Sequence, residues 1–438
     1  MSEVMGADRL DSVAVIGAGS SGLAACAALQ REGISYECLE READLGGVWN
    51  YASPGGRVYR STHLISSKSL TEFLDFSLPD DCPDFPSHAQ VLEYFRAYAD
   101  AMGLHDHIRF GAGVRRMERE AGGWLLELES GERRSYGAVI IANGHNRDPY
   151  WPAQSTEFAG EALHSSQYKH PDQLRGKRVL VVGAGNSGCD IAVDSARIAD
   201  STTLSMRRGY HILPKYFHGT PIDICGERVL RWRVPLGVRR LLARVVTYFL
   251  LGRLRDAGLP EPDHKLFESH PLINSELVYH ARHGDIDVRP DVTGFQDCRA
   301  QFADGSEGDF DTVVFATGYE LTFPFLDANE LNWSDNEHKP GLYLNVFHPD
   351  NDDLYVLGMI QPDSGQWGLV DRQARLVAKY LKGIRQGAES AGRFQKKKRA
   401  PGNRRTTKYL ATPRHSLEVE HFSYRRRLDR ELRALSKM

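Results

Sequence analysis

Two stretches of the chain share one pattern: a short unbroken apolar run, a cluster of glycines, then a helix-like segment. Residues 179–182 are a β-branched run ended by Gly183, Ala184, Gly185, Asn186, Ser187 and Gly188. Residues 12–16 are an apolar run ended by Gly17, Ala18, Gly19, Ser20, Ser21 and Gly22, with an alanine-rich segment following to about residue 33. Unbroken apolar runs bounded by turn residues are what parallel strands buried on both faces require. Each unit continues into a second predicted strand, at 35–39 and at 203–206. Further apolar runs at 313–315 and 354–357 predict strands that complete the first sheet. Residues 108–141 alternate and turn at Gly122, Gly123 and Gly131, which predicts a β-meander. Val91, Leu92, Phe95, Tyr98 and Met102 have helical spacing over 89–102, and a second helix is predicted over about 370–381. Residues 54–88 read as irregular.

A G-x-G-x-x-G between a strand and a helix has a mechanical reading. The first glycine allows the tight turn, the second lets backbone approach a pyrophosphate, and the third lets helix pack on strand. The helix N-terminus then offers free N–H groups to the anion. The second strands end differently. The first closes on Glu40, 23 residues after Gly17, where an acid accepts from a ribose hydroxyl. The second closes on Arg207 and Arg208, which suit a 2′-phosphate. The expectation is an α/β fold of two nested Rossmann-like dinucleotide-binding domains, the inserted one for NADPH. The boundaries read as 1–169 and 311–390 for the first domain, 170–310 for the inserted NADPH domain with a basic insertion near 225–265, and 391–438 for a basic C-terminal extension.

Composition narrows the class. The 438 residues carry a net charge of −3, which argues against general nucleic-acid binding. Residues 393–438 hold 15 Lys and Arg against 4 Asp and Glu. No run of 18 apolar residues predicts a transmembrane helix, and the acidic N-terminus predicts no secretory signal. The 6 cysteines form no C-x-x-C, so metal and disulfide-exchange chemistry are not expected, and a cytoplasmic setting is.

Phe158, Gly160, His164 and Tyr168 complete the pattern F-x-G-x-x-x-H-x-x-x-(Y/F). With both glycine loops, Glu40, the Gly46-Gly47-Val48-Trp49 turn and the linker-like Phe315-Ala316-Thr317-Gly318-Tyr319, the chain resembles the flavin-containing monooxygenases over roughly residues 11–385. The ketone-attacking Baeyer–Villiger branch usually has Trp where this chain has Tyr168. The resemblance implies that NADPH reduces FAD, and that a C4a-hydroperoxyflavin formed with O2 gives one oxygen atom to an amine nitrogen or sulfide sulfur. It implies FAD contacts from Gly17, Gly19, Ser20, Ser21, Gly22, Glu40, Gly47, Val48, Trp49, Thr317 and Gly318. For NADPH it implies Gly183, Gly185, Asn186, Ser187, Gly188, Arg207 and Arg208. Many members carry Asn three positions before the residue equivalent to Lys68; here Ile65 stands there, so either Ser66 or His63 takes its hydrogen-bonding role near the flavin or the peroxide is less well held.

Other readings stay open. Baeyer–Villiger oxygenation and an uncoupled NADPH oxidase are alternatives within enzymes; a non-catalytic flavoprotein module is the alternative outside them. His164 is expected to orient the interdomain linker rather than ligate a metal. Asp363 and Trp367 either face substrate and flavin or form a packed turn, and Lys68 is either a site residue or a surface lysine. Residues 228–255, with eight arginines and no acid, are expected to form a lid or subunit contact in a homodimer, with weak contact to anionic lipid as the alternative. The basic tail is expected to pack on an acidic surface.

Overall fold

The structure, a computed structural model, describes residues 11–400 apart from 233, 267, 270 and 335–337, together with residues 416–436. The N-terminal residues 1–10 and residues 401–415 of the basic tail lie outside that set. The chain divides into two compact units: the first comprises residues up to 56, 66–145 and those from 321 onward; the second comprises 57–65 and 146–320.

The first unit is built on a five-stranded parallel sheet in the order Leu354–Val356, Ala138–Ile141, Val13–Ile16, Tyr36–Leu39, Ile108–Arg109. The central strands VAVI and AVII are buried at every position, as a sheet covered on both faces demands. Ala138–Ile141, expected to end the meander, is instead a core strand of this sheet; the meander proper is the antiparallel trio Val114–Glu120, Gly123–Leu128 and Arg133–Tyr136. The His88–Ala101 helix starts at a capping box in which Ser87 and Gln90 satisfy each other's backbone N–H groups.

The second unit repeats the plan with strands Asp287–Arg289, Ser201–Ser205, Arg178–Val182, Thr312–Phe315 and Glu161–His164, again all parallel. Two boundary expectations are corrected by this sheet. Thr312–Phe315 completes the second sheet, not the first, because it pairs with Arg178–Val182. The pattern residues Phe158, Gly160, His164 and Tyr168, expected in a first domain ending at 169, belong to the second unit, whose edge strand Glu161–His164 pairs with Thr312–Phe315. A short apolar run carries no label for which of two sheets it joins; pairing partners far along the chain decide it.

The predicted helix at 370–381 is longer, Trp367–Arg385, and packs between Ser20–Arg31 and the C-terminal helix His421–Leu435. The described part of the basic tail therefore folds onto its own unit. Arg372 pairs with Asp429 at 2.8 Å, and Gln373 donates to the Tyr424 hydroxyl at 2.7 Å. Lys398, whose side chain is wholly buried, donates to the carbonyls of Pro349 and Asn351 at 2.9 Å and pairs with Asp352.

Two buried histidines give the fold a pH dependence. The His164 ring is held between Ser166 and the Gly318 carbonyl, and burial pushes its pKa down to about 4. His421, 3% exposed, is likewise pushed down to about 4 by burial, with Arg425 and Arg372 adding to the effect. Each ring binds its proton near pH 6.5 when unfolded and near 4 when folded. Their stabilisation is therefore complete above about pH 6.5 and falls as pH drops toward 4, by about 1.4 kcal/mol per pH unit for each ring. Denaturant midpoints measured from pH 7.5 to 4.5 should fall less steeply in His421→Gln than in the parent; parallel curves would show that His421 does not titrate on unfolding.

Candidate cofactor sites

The two glycine loops are superimposable in plan. Gly17 and Gly183 both take left-handed backbone, with φ of 104° and 102°. A Cβ on Gly17 would come within 2.8 Å of the Ala142 carbonyl oxygen, and one on Gly183 within 2.7 Å of that of Ala316. A Cβ on Gly22 would overlap the Gly17 carbonyl, and one on Gly188 the Gly183 carbonyl. These four positions accept only glycine: Gly17 and Gly183 bring the turn against the end of the neighbouring strand, and Gly22 and Gly188 bring helix backbone against the turn. The helices Ser20–Arg31 and Asn186–Ala196 start at Gly19 and Gly185, and neither start carries a side-chain cap. Their first-turn N–H groups are thus left for an anion. Asn186 adds a buried side-chain oxygen with no hydrogen-bond partner among the described residues.

The surroundings of the loops differ as the strand ends foretold. Glu40 is 6% exposed; its carboxylate accepts from the Ala18 N–H at 2.5 Å and the Glu42 N–H at 2.9 Å. Burial raises its pKa while these N–H groups oppose the rise. A carboxylate has about four acceptor sites, so Glu40 braces the loop and keeps capacity for a ribose hydroxyl. The 46–47 turn docks on the same loop: Gly46 N–H donates to the Ala18 carbonyl at 3.0 Å, and a Cβ on Gly47 would lie 3.2 Å from the Gly19 Cα. Val48 and Trp49 follow in the short 3-10 turn Gly47–Trp49. Beside the second loop Arg207 is exposed and Arg208 partly so, just past Ser201–Ser205. Both cradles fit a dinucleotide pyrophosphate: glycine backbone lines them and open N–H groups face them.

Several expected site residues have other tasks. Thr317 and Gly318, read as FAD contacts, lie in the second unit; Thr317 donates to the Tyr150 carbonyl at 2.5 Å, and the Gly318 carbonyl accepts from His164 at 3.0 Å. This His164 contact ties the end of the Glu161–His164 strand to the Gly318 backbone. Trp367 is 2% exposed in an aromatic cluster with Phe95 at 4.7 Å, Tyr94 at 5.7 Å and Trp49 at 6.1 Å between ring centroids. The Asp363 carboxylate accepts from the His421 N–H at 2.8 Å. This is the packed-turn arrangement. Lys68 is clasped by three carbonyls, those of Pro79, Asp80 and Cys82.

The expected substitutes for the missing Asn are committed elsewhere. Thr71 donates its hydroxyl hydrogen to the Ser67 carbonyl at 2.8 Å, so Ser66 is the donor in its 2.8 Å bond to Thr71. His63 is exposed, with Nδ1 on the Ser61 carbonyl at 2.9 Å. Ile65 is partly buried and offers no polar atom. Residues that motif reading missed include Gly358, where a Cβ would overlap the Ser21 hydroxyl, and His145, whose ring bonds the Gly358 backbone and whose pKa burial lowers. A glycine directly after the predicted 354–357 strand was the available signal for the first; nothing local marked the second.

Comparison with known proteins agrees with this geometry. The sequence profile described as "Flavin-binding monooxygenase-like" matches residues 10–432. Flavin-containing monooxygenase 5 of Oryctolagus cuniculus is 36% identical over 401 residues, which cover 85% of this chain and 74% of that protein. Flavin-containing monooxygenase 2 of Homo sapiens is 33% identical over 397 residues, covering 85% and 73%. The S-allyl-L-cysteine S-oxygenase of Allium sativum shares the fold with a TM-score of 0.66 at 22% identity, covering 97% of this chain and 91% of that one. The profile match over nearly the whole chain, the relatives above 30% identity and the paired glycine cradles lead to one conclusion: the chain belongs to the flavin-binding monooxygenase-like family, oxidoreductases that use FAD and NADPH.

Proposed function

We propose that the 17–22 loop of the first unit holds the FAD pyrophosphate, that the 183–188 loop of the second holds that of NADPH, and that the enzyme transfers one oxygen atom of O2 to an amine nitrogen or a sulfide sulfur. The observation that carries this reading is the shared plan of the two loops beside strands that end differently, in buried Glu40 and in exposed Arg207. In this reading the open N–H groups of Ser20–Arg31 and Asn186–Ala196 bind the two pyrophosphates. Glu40 accepts from the flavin-side ribose, and Arg207 with Arg208 pairs with the 2′-phosphate. Bound FAD supplies the redox and oxygen chemistry, and the protein supplies binding, orientation and exclusion of water. Ile65 contributes an apolar surface, which suits a soft nucleophile with little need of hydrogen bonds. Asp363 and Trp367 act by packing: the first ties the His421 backbone to the 363–366 turn, and the second seats the Trp367–Arg385 helix. Tyr168, whose hydroxyl donates to Asp194 at 3.0 Å, occupies the place where Baeyer–Villiger members usually have Trp.

NADPH consumption and peroxide release, measured together across an amine, a sulfide and a ketone, test the function. The amine or the sulfide should raise coupled consumption and gain one oxygen atom, while the ketone yields no ester. Ester formation without N- or S-oxide, or peroxide as the sole product throughout, would reverse the assignment. The cofactor preference has its own test. A charge-assisted hydrogen bond to phosphate contributes about 1.5–3 kcal/mol, or about 10- to 150-fold in affinity. Arg207→Ala should weaken NADPH binding on that scale and leave NADH nearly unchanged; equal losses for both would remove Arg207 from the phosphate.

The basic insertion supports a weak peripheral contact with anionic lipid. Its helix Leu236–Leu251 exposes Val238, Leu241, Leu242, Val245 and Phe249, spaced i, i+3, i+4, i+7 and i+11 along one face, and Phe249 is 80% exposed. Trp232 beside it is 76% exposed, and Arg228, Arg231 and Arg244 are exposed around the stripe. An apolar face with aromatic and arginine flanks is the pattern of an interfacial helix. The protein should cosediment in part with phosphatidylglycerol vesicles and detach as salt rises. A salt-insensitive dimer that Phe249→Ser converts to monomer, with no vesicle binding, would make the stripe a subunit contact instead.

A further inference from the structure

The Leu354–Val356 strand of the first unit leads into Gly358, whose backbone is left-handed with φ of 76°. A Cβ there would lie 2.1 Å from the Ser21 hydroxyl oxygen, so the Gly358 backbone is seated on the first turn of the Ser20–Arg31 helix. Both backbone polar groups of Gly358 are held by glutamine amides. Its N–H donates to Gln373 Oε1 at 3.1 Å, and its carbonyl accepts from Gln366 Nε2 at 3.3 Å. Gln366 Nε2 also donates to the Ile360 carbonyl at 2.9 Å.

Gln373 lies on the Trp367–Arg385 helix with no exposed surface. Its Nε2 donates to the Tyr424 oxygen at 2.7 Å. Tyr424 is 4% exposed and directs its single hydroxyl hydrogen to the Leu344 carbonyl, so its oxygen only accepts from Gln373. A flipped amide would set its oxygen against that lone pair and its NH2 against the Gly358 N–H. The chain Gly358, Gln373, Tyr424, Leu344 therefore has one hydrogen-bonding direction, and Tyr424 stands on the His421–Leu435 helix. The same segment holds the neighbouring turn a second time. Gln361–Pro362 pairs in parallel with Glu418–Val419, and the Gln361 N–H donates to the Leu417 carbonyl at 2.8 Å.

We propose that Gln373 and Tyr424 are positioning residues for FAD: acting through the Gly358 backbone they hold Ser21 and the first turn of the Ser20–Arg31 helix in the pyrophosphate-binding arrangement, so that the 416–436 segment sets how firmly the flavin is retained. This rests on the reading of residues 17–22 as the FAD loop. Glycine at 358 keeps the coupling short, because the N–H that Gln373 accepts from and the backbone that Ser21 meets belong to one residue. Without the Gln373 oxygen a buried N–H loses its acceptor, and the 358 backbone turns toward another one, away from Ser21.

The test is release of FAD from the purified holoenzyme on dilution, followed by the rise in flavin fluorescence, for the parent, Gln373→Leu, Tyr424→Phe and the double variant. Gln373→Leu should release FAD about tenfold faster. Tyr424→Phe should do so by a smaller factor, because Gln373 keeps its bond to Gly358. The double variant should be no faster than Gln373→Leu alone, since both changes break one chain. Melting temperatures measured alongside separate positioning from plain stability. Variants that melt lower but release FAD at the parental rate overturn the proposal, and so do effects of the two changes that multiply in the double variant. If Gln373→Leu does not fold, Tyr424→Phe decides, and a parental release rate in it is the overturning result. Gly19→Leu, whose side chain would fill the cradle, separates this inference from the loop assignment. FAD retained by that variant overturns the loop assignment and the proposal with it. FAD lost from it, with release unchanged in Gln373→Leu, overturns the positioning role alone.

Discussion

Both glycine loops depend on one steric fact: at two places helix backbone lies against a strand-end carbonyl with no room for a Cβ. Gly22 sits on the Gly17 carbonyl and Gly188 on the Gly183 carbonyl. That contact lets the helix begin directly above the strand, so its first N–H groups point into an open cradle instead of into a side chain. The left-handed turns at Gly17 and Gly183 follow from the same need to reverse the chain in few residues. The rest of each unit holds the strand and the helix at that distance.

What surrounds the cradles separates their tasks. In the first unit a buried carboxylate, Glu40, is fastened to the loop by backbone N–H groups, which fix its orientation. In the second unit the corresponding strand end is exposed and cationic, while the polar bracing comes from the opposite face of the helix, where Asp190 and Asp194 hold the 57–65 segment.

The C-terminal segments show how a strongly basic stretch becomes part of a core. Lys398 loses its water but meets two carbonyls at 2.9 Å and the Asp352 carboxylate, and Arg372 meets Asp429. A buried cation is tolerated only when donors are satisfied in this way. The exposed apolar stripe of Leu236–Leu251 is the opposite case, since its apolar residues find no cover among the described residues.

Local pattern determined the glycine loops, the strand-turn-helix order around them, and the contrast between Glu40 and Arg207, because those features depend on residues within about one βαβ unit of each other. The same locality made the family resemblance legible. Sheet membership was decided only by tertiary pairing: Thr312–Phe315 is a short apolar run that would suit either sheet, and its register with Arg178–Val182 on one side and Glu161–His164 on the other assigns it to the second. Side-chain tasks were decided the same way. Trp367 became a packed core residue through Phe95 and Tyr94, Lys68 a clasp through carbonyls more than ten residues away, and Ser66 a committed donor through Thr71. Tyr59 and Asp190, 131 residues apart in the chain, carried no motif at all. A hydrogen bond between distant segments leaves no periodic trace in sequence, because it constrains two positions in space and neither neighbour of each along the chain.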